Sequence, residues 1–394
     1  MQMRIGFDVS QTGCLKAGCG YFADGLIRHL AEIDSENEYI LYPTFGDGYW
    51  DPDWPDSTVQ INKPNFRRGL GHHSYEDLRA FWTKPPADLE SRLGQPDIVH
   101  ANNFYCPVGL KHARLVYTLY DLAFLEYPDF TTEANRLICF NGVFHASLYA
   151  DMIIAVSEYS RSHFLEIFPH YPPDRVVVVY GGSRFTRRED LAKPKNLAQL
   201  QPGQFWLNVG TLEPRKNHRR LLQAYARLKT HVGETFPLVL AGGKGWLMDD
   251  LDQLIERLEL RQDIILLGYV DDTTLQWLYQ NCFAFVYPSL FEGFGLPVLE
   301  AMNLGAPVIA SNASALPEII GSAGILVEPN DEVCIFRAML ALLCGEINPQ
   351  ELRARSILRA QQFSWEHTAW RVLDAYHAVV KKNKKGESVS ASQT

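Results

Sequence analysis

Residues 291–302, FEGFGLPVLEAM, place two carboxylates on either side of a glycine-rich turn. Glu292 precedes the turn, and Glu300 follows it with seven residues between them. Carboxylates accept hydrogen bonds from paired hydroxyls, so this spacing fits a ligand with a sugar at each end and a phosphate in the middle. In the alternative interpretation Glu300 only complements a helix dipole and Glu292 is solvated.

The middle of this stretch predicts a set of backbone donors. Glycine permits tight backbone geometry, and Pro297 suits the first turn of the helix that begins here. The first N–H groups of a helix have no partner within it, and they attract anions. We expect such donors at Phe294, Gly295 and Leu296.

A second candidate anion site is GTLEPRKN at 210–217, which directly follows the apolar strand FWLNV. Arg215 and Lys216 stand next to a predicted helix start, where the dipole and the free N–H groups already favour negative charge. Two cations at that point would seat a diphosphate. The alternative is a solvated helix cap that carries basic residues by chance.

Two loops in the first half of the chain carry weaker signals. In AGCGY at 17–21, Gly18 and Gly20 would let a phosphate or sugar approach the backbone. The third glycine of the dinucleotide fingerprint is missing, so a flexible turn explains this loop equally well. In VYTLYDLAFLEYP at 116–128, Tyr120 and Asp121 end an apolar strand. Asp121 is either a ligand group or an N-cap for the next segment.

Alternating strands and helices are predicted to position these loops. Short apolar runs such as DIVHA, DMIIAVS and VVVVY are typical of buried parallel strands. The alternation stops in the polar segment 181–203 and restarts at QFWLNVG. This pattern predicts two α/β units in tandem. Ligands are expected beyond the carboxyl ends of the strands and in a cleft between domains.

Composition excludes several classes of protein. The 394 residues are 46% hydrophobic and 21% charged, which are ordinary globular values. A net charge of −9 argues against a general nucleic-acid binder. Seven cysteines without paired spacing suit a reduced cytosolic protein. Without a signal peptide or a long apolar run, we expect a cytoplasmic protein with no membrane span.

The motifs together resemble a known family. GTLEPRKN, GYVDDTTLQWLY at 268–279, FVYPSLFEGFGLPVLEAM at 285–302 and SNASALPEI at 311–319 are similar to those of the retaining glycosyltransferases of family 4. The similarity runs from RIGFDVS near the N-terminus to the final amphipathic pattern.

The resemblance implies an α/β GT-B fold with two Rossmann-like domains that face each other across a cleft. Residues 1–185 would form the acceptor domain, and a C-terminal helix at about 366–383 would pack back on it. Residues 203–365 would form the nucleotide-sugar donor domain. Residues 384–394 have little apolar content, and we expect them to be disordered.

The resemblance also implies roles for three charged residues. Glu292, the first glutamate of the E-x7-E element, would contact hydroxyls of the donor sugar. Glu300, the second, would hold the ribose of the nucleotide. Lys216 corresponds to the lysine of the phosphate motif.

Other donor-site positions follow with one departure. The family's common arginine after the glycine is absent, because Thr211 follows Gly210. Arg215 is our candidate to replace it. The backbone near Val270 would meet the base, and the Gly18–Gly20 loop would approach the diphosphate.

Position 120 is a second departure. Many relatives have His-Asp where this chain has Tyr120 and Asp121. A tyrosine with an ordinary pKa of about 10 is no base near neutral pH. Asp121, or the leaving phosphate itself, would then receive the proton of the acceptor.

The function implied is transfer of a hexose, with retention of configuration, from a nucleotide diphosphate sugar to an acceptor hydroxyl in polysaccharide or glycan synthesis. We expect no metal and no other cofactor, and we favour a UDP-sugar over a GDP-sugar. The acceptor would be a glycan or a lipid-linked saccharide. The basic segment KKNKK at 381–385 is either a solubilising tail or a contact to the inner face of the membrane. The alternatives are a sugar-nucleotide epimerase and a non-catalytic sugar-nucleotide-binding protein.

Overall fold

The computed structural model describes residues 2–14, 16–46, 56–70, 74–245 and 251–390. The chain divides into two compact units. Unit 1 comprises Met1–Pro128, Thr132–Gly182 and Ser364–Thr394, and unit 2 comprises Asp129–Thr131 and Ser183–Phe363. The chain therefore leaves unit 1 at Gly182 and returns to it at Ser364, while most of the polar segment 181–203 belongs to unit 2.

Unit 1 is built on a parallel sheet. Within the described residues its seven strands lie in the order β3-β2-β1-β4-β5-β6-β7. They are β1 (Arg4–Asp8), β2 (Glu38–Tyr42), β3 (Phe66–Arg68), β4 (Ile98–Ala101), β5 (Arg114–Leu119), β6 (Met152–Ala155) and β7 (Val176–Val178). The central strands are buried apolar runs, as expected for a parallel sheet covered on both faces. Strand β3 was not predicted, because its sequence FRR contains a single apolar residue.

Helices cover both faces of this sheet. They are α1 (Gly18–Ile33), α2 (Tyr75–Thr83), α3 (Leu89–Arg92), α4 (Ala123–Glu126), α5 (Glu133–Tyr149) and α6 (Glu158–Ile167). The apolar stripe predicted for α1 is buried, with Phe22, Leu26, Ile27 and Leu30 in the core. At the start of α6, the Ser157 side chain accepts a hydrogen bond from the N–H of Ser160, which confirms the predicted cap.

A C-terminal helix, α14 (Trp365–Ser390), completes unit 1. It packs on α1, where the Trp365 ring leaves no room for a Cβ at Gly25. The helix continues past residue 383, where the sequence predicted the start of a disordered tail. Lysine is a good helix former, so the basic segment does not end the helix. Residues 391–394 lie outside the described residues.

Unit 2 is a second parallel sheet, and its described strands lie in the order β10-β9-β8-β11-β12-β13. They are β8 (Trp206–Val209), β9 (Leu238–Ala241), β10 (Ile264–Gly268), β11 (Ala284–Tyr287), β12 (Val308–Ser311) and β13 (Ile325–Val327). The helices are α7 (His218–Val232), α8 (Leu251–Arg257), α9 (Asp272–Asn281), α10 (Leu296–Asn303), α11 (Leu316–Ile320), α12 (Glu332–Leu343) and α13 (Pro349–Ala360). The apolar run VCIFRAMLALLC forms α12, a packed helix as predicted.

Each sheet has one point at which the strand order reverses. In unit 1 it lies between β1 and β4, and in unit 2 between β8 and β11. Loops that leave the carboxyl ends of such neighbouring strands run apart and open a crevice for ligands. The candidate residues of unit 2 lie in the loops after β8 and β11, which are the two strands at its reversal point. In unit 1 the Gly18–Gly20 turn follows β1.

Candidate donor site

The reversal point of unit 2 brings Glu292 together with both predicted cations. Its Oε1 lies 2.7 Å from Lys216 Nζ, and its Oε2 lies 2.9 Å from Arg215 Nη1. The hydroxyls of Ser289 and Tyr287 also donate to Oε1, at 2.6 and 2.9 Å. Burial by itself would raise the pKa of Glu292, but the charges of Arg215 and Lys216 and the hydrogen bonds from Lys216 and Ser289 lower it to about 2. Glu292 is therefore ionised, and both of its carboxylate oxygens accept hydrogen bonds from side chains of the protein.

Arg215 extends this cluster to a second acid. Its Nη2 lies 2.6 Å from Glu213 Oε1, and its Nη1 also donates to the carbonyl oxygen of Phe291. Two carboxylates thus face two cations. Burial, and then the neighbouring Arg215 charge, lower the pKa of Lys216, while Glu292 acts in the opposite direction. We expected the cations on a diphosphate and Glu292 on a sugar; in this structure the three side chains contact one another directly.

The start of α10 has the geometry of an anion-binding helix terminus. Gly295 is the N-cap with φ of +104°, a left-handed conformation that favours glycine, and Pro297 lies in the first turn. No side chain caps this helix. Among the described residues, no hydrogen bond reaches the backbone N–H of Gly295 or Leu296. The N–H groups of Gly295 and Leu296, which are two of the three predicted backbone donors, are thus available.

Glu300 lies in α10 with a different set of partners. Arg184 Nε is 2.9 Å from its Oε1, and the Tyr279 hydroxyl donates to Oε2 at 3.4 Å. The guanidinium of Arg184 also lies 3.3 Å from Asp272 at the start of α9. Burial raises the pKa of Glu300 to about 7, and the single guanidinium only partly offsets that rise. Glu300 is the titratable member of the E-x7-E pair.

The other predicted residues of unit 2 lie at strand ends. Gly210 follows β8 with φ of +148°, and Thr211 after it is exposed. The Gly210 carbonyl oxygen would overlap a Cβ at Gly242, so the loops after β8 and β9 approach each other closely. Val270 is half-buried between β10 and α9.

In unit 1 the two predicted glycines differ. Gly18 opens α1, which has no side-chain cap, and a Cβ there would meet no atom of the described protein within 4 Å. A Cβ at Gly20 would overlap the backbone oxygen of Gln11. Gly20 is therefore explained by packing of α1 against the loop after β1, whereas no such contact explains Gly18.

Tyr120 and Asp121 follow β5. The Tyr120 hydroxyl is buried and donates to the backbone oxygens of Asn102, at 2.9 Å, and Cys19, at 3.2 Å. Burial raises the pKa of Tyr120 well above its usual value of 10. Asp121 Oδ1 accepts the N–H of Ala123, the first residue of α4, but the N-cap of α4 is Leu122 and no side chain caps this helix, so Asp121 is not its N-cap. Neither contact tests a part in the reaction.

Known proteins resemble this chain over nearly its whole length. The family model "Glycosyl transferases group 1" matches residues 192–363, and "Glycosyltransferase Family 4" matches residues 20–184. O-antigen chain mannosyltransferase B of Escherichia coli is 38% identical over 397 residues, which cover 95% of this chain and 99% of that protein.

The chain is a family 4 glycosyltransferase.

Solved structures agree on the fold of this glycosyltransferase. Sucrose-phosphate synthase from Thermosynechococcus elongatus superposes with a TM-score of 0.73 at 21% identity, over 97% of this chain and 100% of that one. Anabaena Alr3699/HepE, in complex with UDP and glucose, gives 0.69 at 19% identity over 96% and 100%. At such low identity these likenesses show the fold alone, which is GT-B with two Rossmann-like α/β domains, as predicted.

Sequence reasoning missed several polar residues of the family 4 glycosyltransferase. In unit 2 these are Arg184, Glu213, Tyr287 and Ser289. The last two lie shortly before Glu292 in the sequence YPSLFEG at 287–293. In unit 1 Asp8 ends β1 and accepts the N–H groups of Ser10 and Asn102, and its burial raises its pKa to about 7. A carboxylate at the end of an apolar strand was the available signal for Asp8.

Two findings concern absences. No helix in the described part of the glycosyltransferase is both long and apolar enough to cross a membrane. Among the described residues, no three His, Cys, Asp or Glu side chains come together as a metal-binding group. Metal-independent action stays a prediction.

Proposed function

We propose that this glycosyltransferase transfers mannose from a nucleoside diphosphate mannose to a hydroxyl of a growing polysaccharide of the O-antigen type, with retention of configuration. The observation that carries the proposal is the 38% identity to O-antigen chain mannosyltransferase B, which covers nearly all of both chains. Two further relatives with 33–34% identity over 62% of this chain are also named mannosyltransferases. The retaining mechanism rests on the family resemblance of the E-x7-E motif.

In this proposal the diphosphate of the donor binds at the start of α10. The N–H groups of Gly295 and Leu296 are available there, and Arg215 and Lys216 converge nearby on Glu292. Glu300, in the same helix, would accept hydrogen bonds from the ribose hydroxyls in place of Arg184. In this assignment α10 binds the diphosphate at its first residues and the ribose through Glu300.

The charges of the cluster suit the departure of a diphosphate. Glu213 and Glu292 balance Arg215 and Lys216 when no donor is bound. A donor would share the two cations, and negative charge that develops on its leaving oxygen would meet positive charge already held in place. Such preorganised stabilisation is often the largest single contribution to catalysis. Glu292 need not attack the sugar, since both of its oxygens are used to hold the cations.

The proton of the acceptor needs a base other than Tyr120. Its hydroxyl donates to two carbonyl oxygens and has a raised pKa, so it cannot accept a proton near neutral pH. We assign the proton to Asp121 or to the leaving phosphate.

The test is a matrix of donors and acceptors with the purified full-length protein. GDP-mannose, UDP-mannose, UDP-glucose and UDP-N-acetylglucosamine are each combined with soluble and lipid-linked mannose-terminated oligosaccharides. New α-linked mannoside, identified by mass spectrometry and by its anomeric NMR signal, supports the proposal. The matrix also tests the expected preference for a UDP-sugar, since the mannosyltransferase relatives name no base.

Three outcomes contradict the proposal. Transfer of another sugar but not of mannose would refute the substrate, and a β-linked product would refute retention. A new nucleotide sugar formed from the donor alone would favour the epimerase, and donor binding without transfer to any acceptor would favour a non-catalytic binding protein.

A further inference from the structure

Lys216 is a long, charged side chain with very little exposed surface. It is 8% exposed, and its stem lies against Gly210, where a Cβ would come within 3.3 Å of Lys216 Cε. A lysine on a protein surface samples many rotamers and loses that freedom when it binds a ligand. The rotamers of Lys216 are instead restricted by the surrounding protein itself.

The ammonium group of Lys216 contacts two acceptors. Its Nζ donates to the Tyr287 hydroxyl oxygen at 2.5 Å and to Glu292 Oε1 at 2.7 Å. The Tyr287 hydroxyl in turn donates to the same Glu292 oxygen at 2.9 Å. The directions of these bonds are fixed, because an ammonium group only donates and an ionised carboxylate only accepts. The Tyr287 oxygen must therefore accept from Lys216 while its O–H points at Glu292.

The Tyr287 hydroxyl is held in place by its ring. Tyr287 is the last residue of β11 and is 1% exposed. Its ring stacks on that of Phe285, with centroids 5.4 Å apart and planes 22° from parallel. A tyrosine packed in this way cannot move with the lysine, so its hydroxyl is a fixed point to which the ammonium group is bound.

These contacts leave one donor of the ammonium group for a ligand. An ammonium group has three N–H donors, and Tyr287 and Glu292 accept two of them. Within the described residues, Lys216 Nζ forms no further hydrogen bond. Because the N–H groups are arranged tetrahedrally, holding two of them fixes the direction of the third. Lys216 therefore offers a single directed, charged donor, which suits a phosphate oxygen.

We propose that Tyr287 is a positioning residue for the transfer reaction: together with Glu292 it holds two N–H groups of Lys216, so that the third is aimed at the diphosphate of the donor. The inference rests on the proposed binding of the diphosphate beside this cluster. Tyr287 is too buried to contact the donor and acts through Lys216. Positioning of this kind matters because a displacement of about 1 Å can cost about 100-fold in rate.

Tyr287 also bears on the charge of Lys216. Burial, followed by the charge of Arg215, lowers the pKa of Lys216. The hydrogen bond to the Tyr287 oxygen favours the protonated form, so its removal should lower this pKa further. A lysine is charged below its pKa, so the charge would then be lost at a lower pH. The other titratable groups that face Lys216 are Glu292, Glu213 and His218, whose ring is neutral with a pKa of about 4.

Isothermal titration calorimetry with GDP and with UDP between about pH 7 and pH 10 tests the inference. The affinity should fall at high pH as Lys216 loses its proton, and in Tyr287→Phe this fall should begin at a lower pH than in wild type. Tyr225→Phe is the matched control, because the Tyr225 hydroxyl also belongs to a buried residue of unit 2 but donates to the carbonyl oxygen of Phe236. Its profile should match wild type. This measurement needs neither the sugar nor the acceptor.

Ser289→Ala separates the two contacts of the Tyr287 hydroxyl. The Ser289 hydroxyl donates to the same Glu292 oxygen, at 2.6 Å, but among the described residues it accepts nothing from Lys216. In this variant Lys216 keeps both of its acceptors. The fall in affinity should therefore not move to lower pH.

Turnover is the second readout. With GDP-mannose and a mannose-terminated oligosaccharide, Tyr287→Phe should lower kcat about 10- to 100-fold, as expected for a lost hydrogen bond to a charged group. The value of kcat/KM should fall by the same factor, because the contact of Lys216 strengthens as charge develops on the leaving group. Tyr225→Phe should retain normal turnover, and thermal unfolding verifies that each variant is folded.

The outcomes distinguish this inference from the proposed function. An affinity profile of Tyr287→Phe that matches wild type would overturn the inference alone. An equal shift in Ser289→Ala would also overturn it, because the effect would then act through Glu292. The expected shift without any mannose transfer would refute the proposed sugar but support the inference. A wild type that binds neither GDP nor UDP would overturn both.

Discussion

At the scale of single residues, the two glutamates of E-x7-E are the same amino acid in different electrostatic settings. Both are buried, which disfavours the charged form of a carboxyl group. Glu292 has two cations and two hydroxyl donors, and its pKa is about 2; Glu300 has one guanidinium and one hydroxyl, and its pKa is about 7. Of the two glutamates, only Glu300 therefore changes charge near physiological pH.

This difference predicts how donor affinity depends on pH. Ionised Glu300 accepts hydrogen bonds from hydroxyls more strongly than the protonated form, and its ionised fraction rises through pH 7. Donor affinity should therefore increase about 5- to 10-fold from pH 6 to pH 8, since a charge-assisted hydrogen bond is roughly twice as strong as a neutral one. Isothermal titration calorimetry with the nucleotide diphosphate at fixed ionic strength measures the change.

Glu300→Gln is the matched variant for this measurement. The amide has the same shape but does not titrate, so its affinity should stay low and nearly flat over the same range. A slope that survives in Glu300→Gln would assign the pH dependence to another group, such as Asp8, whose pKa is also about 7.

Substitution of Lys216 should cause the largest loss of turnover. Lys216→Met removes the cation from the cluster but leaves Arg215 on Glu292, so the donor can still bind. The developing charge of the leaving group loses one fixed partner, which typically costs about 100- to 1,000-fold in kcat. Steady-state kinetics with saturating donor check this value. Lys229→Met is the control. Lys229 lies near the C-terminal end of α7 and forms an ion pair of similar length with Asp263, so this variant should retain normal turnover.

At the scale of elements, two glycines within the first three residues of α1 are expected to have different roles. Gly20 is required for packing, and Gly18 is a candidate contact of the ligand. Gly20→Ala should destabilise unit 1 by a few kcal/mol, because the new methyl group overlaps the backbone of Gln11. Gly18→Ala should leave the melting temperature unchanged, since its Cβ would lie in open space. If the diphosphate approaches this turn, Gly18→Ala should instead raise the KM for donor several-fold. Thermal unfolding and kinetics together distinguish the two effects, and unchanged kinetics in Gly18→Ala would remove this loop from the donor site.

The elements themselves could be predicted from local patterns, but their partnerships could not. Apolar runs indicated most strands of both sheets, and the glycine and proline of the quoted stretch indicated the start of α10. Strand β3 was missed because two of its three residues are arginines, and its pairing with β2 depends on the fold. Arg184 and Glu300 are 116 positions apart, and only the folded chain brings them together. The same is true of the direct contact of Glu292 with Arg215 and Lys216.

At the scale of the whole molecule, the chain is two folding units with separate cores, and unit 1 is discontinuous in sequence. Its last segment, α14, contributes Trp365, Val372 and Tyr376 to the buried interior. The Tyr376 hydroxyl lies 2.6 Å from Nδ1 of His100 on β4. Burial lowers the pKa of His100 to about 3, so its ring is neutral and depends on that contact and on Thr118.

This arrangement predicts that removal of α14 destabilises unit 1 but not unit 2. A chain that ends at Phe363 exposes the face of α1 that α14 covers and leaves His100 with one partner fewer. Three large side chains contribute about 1.5–3 kcal/mol each when buried, which together approach the 5–15 kcal/mol that stabilises a typical domain. Unit 1 should therefore unfold or exchange its amide protons globally, while β8 to β13 of unit 2 remain protected. Hydrogen exchange with mass spectrometry reads both units in one sample, and a chain that ends at Lys381 is the control. Equal protection of β1 and β4 in the two truncated chains would show that unit 1 does not depend on α14.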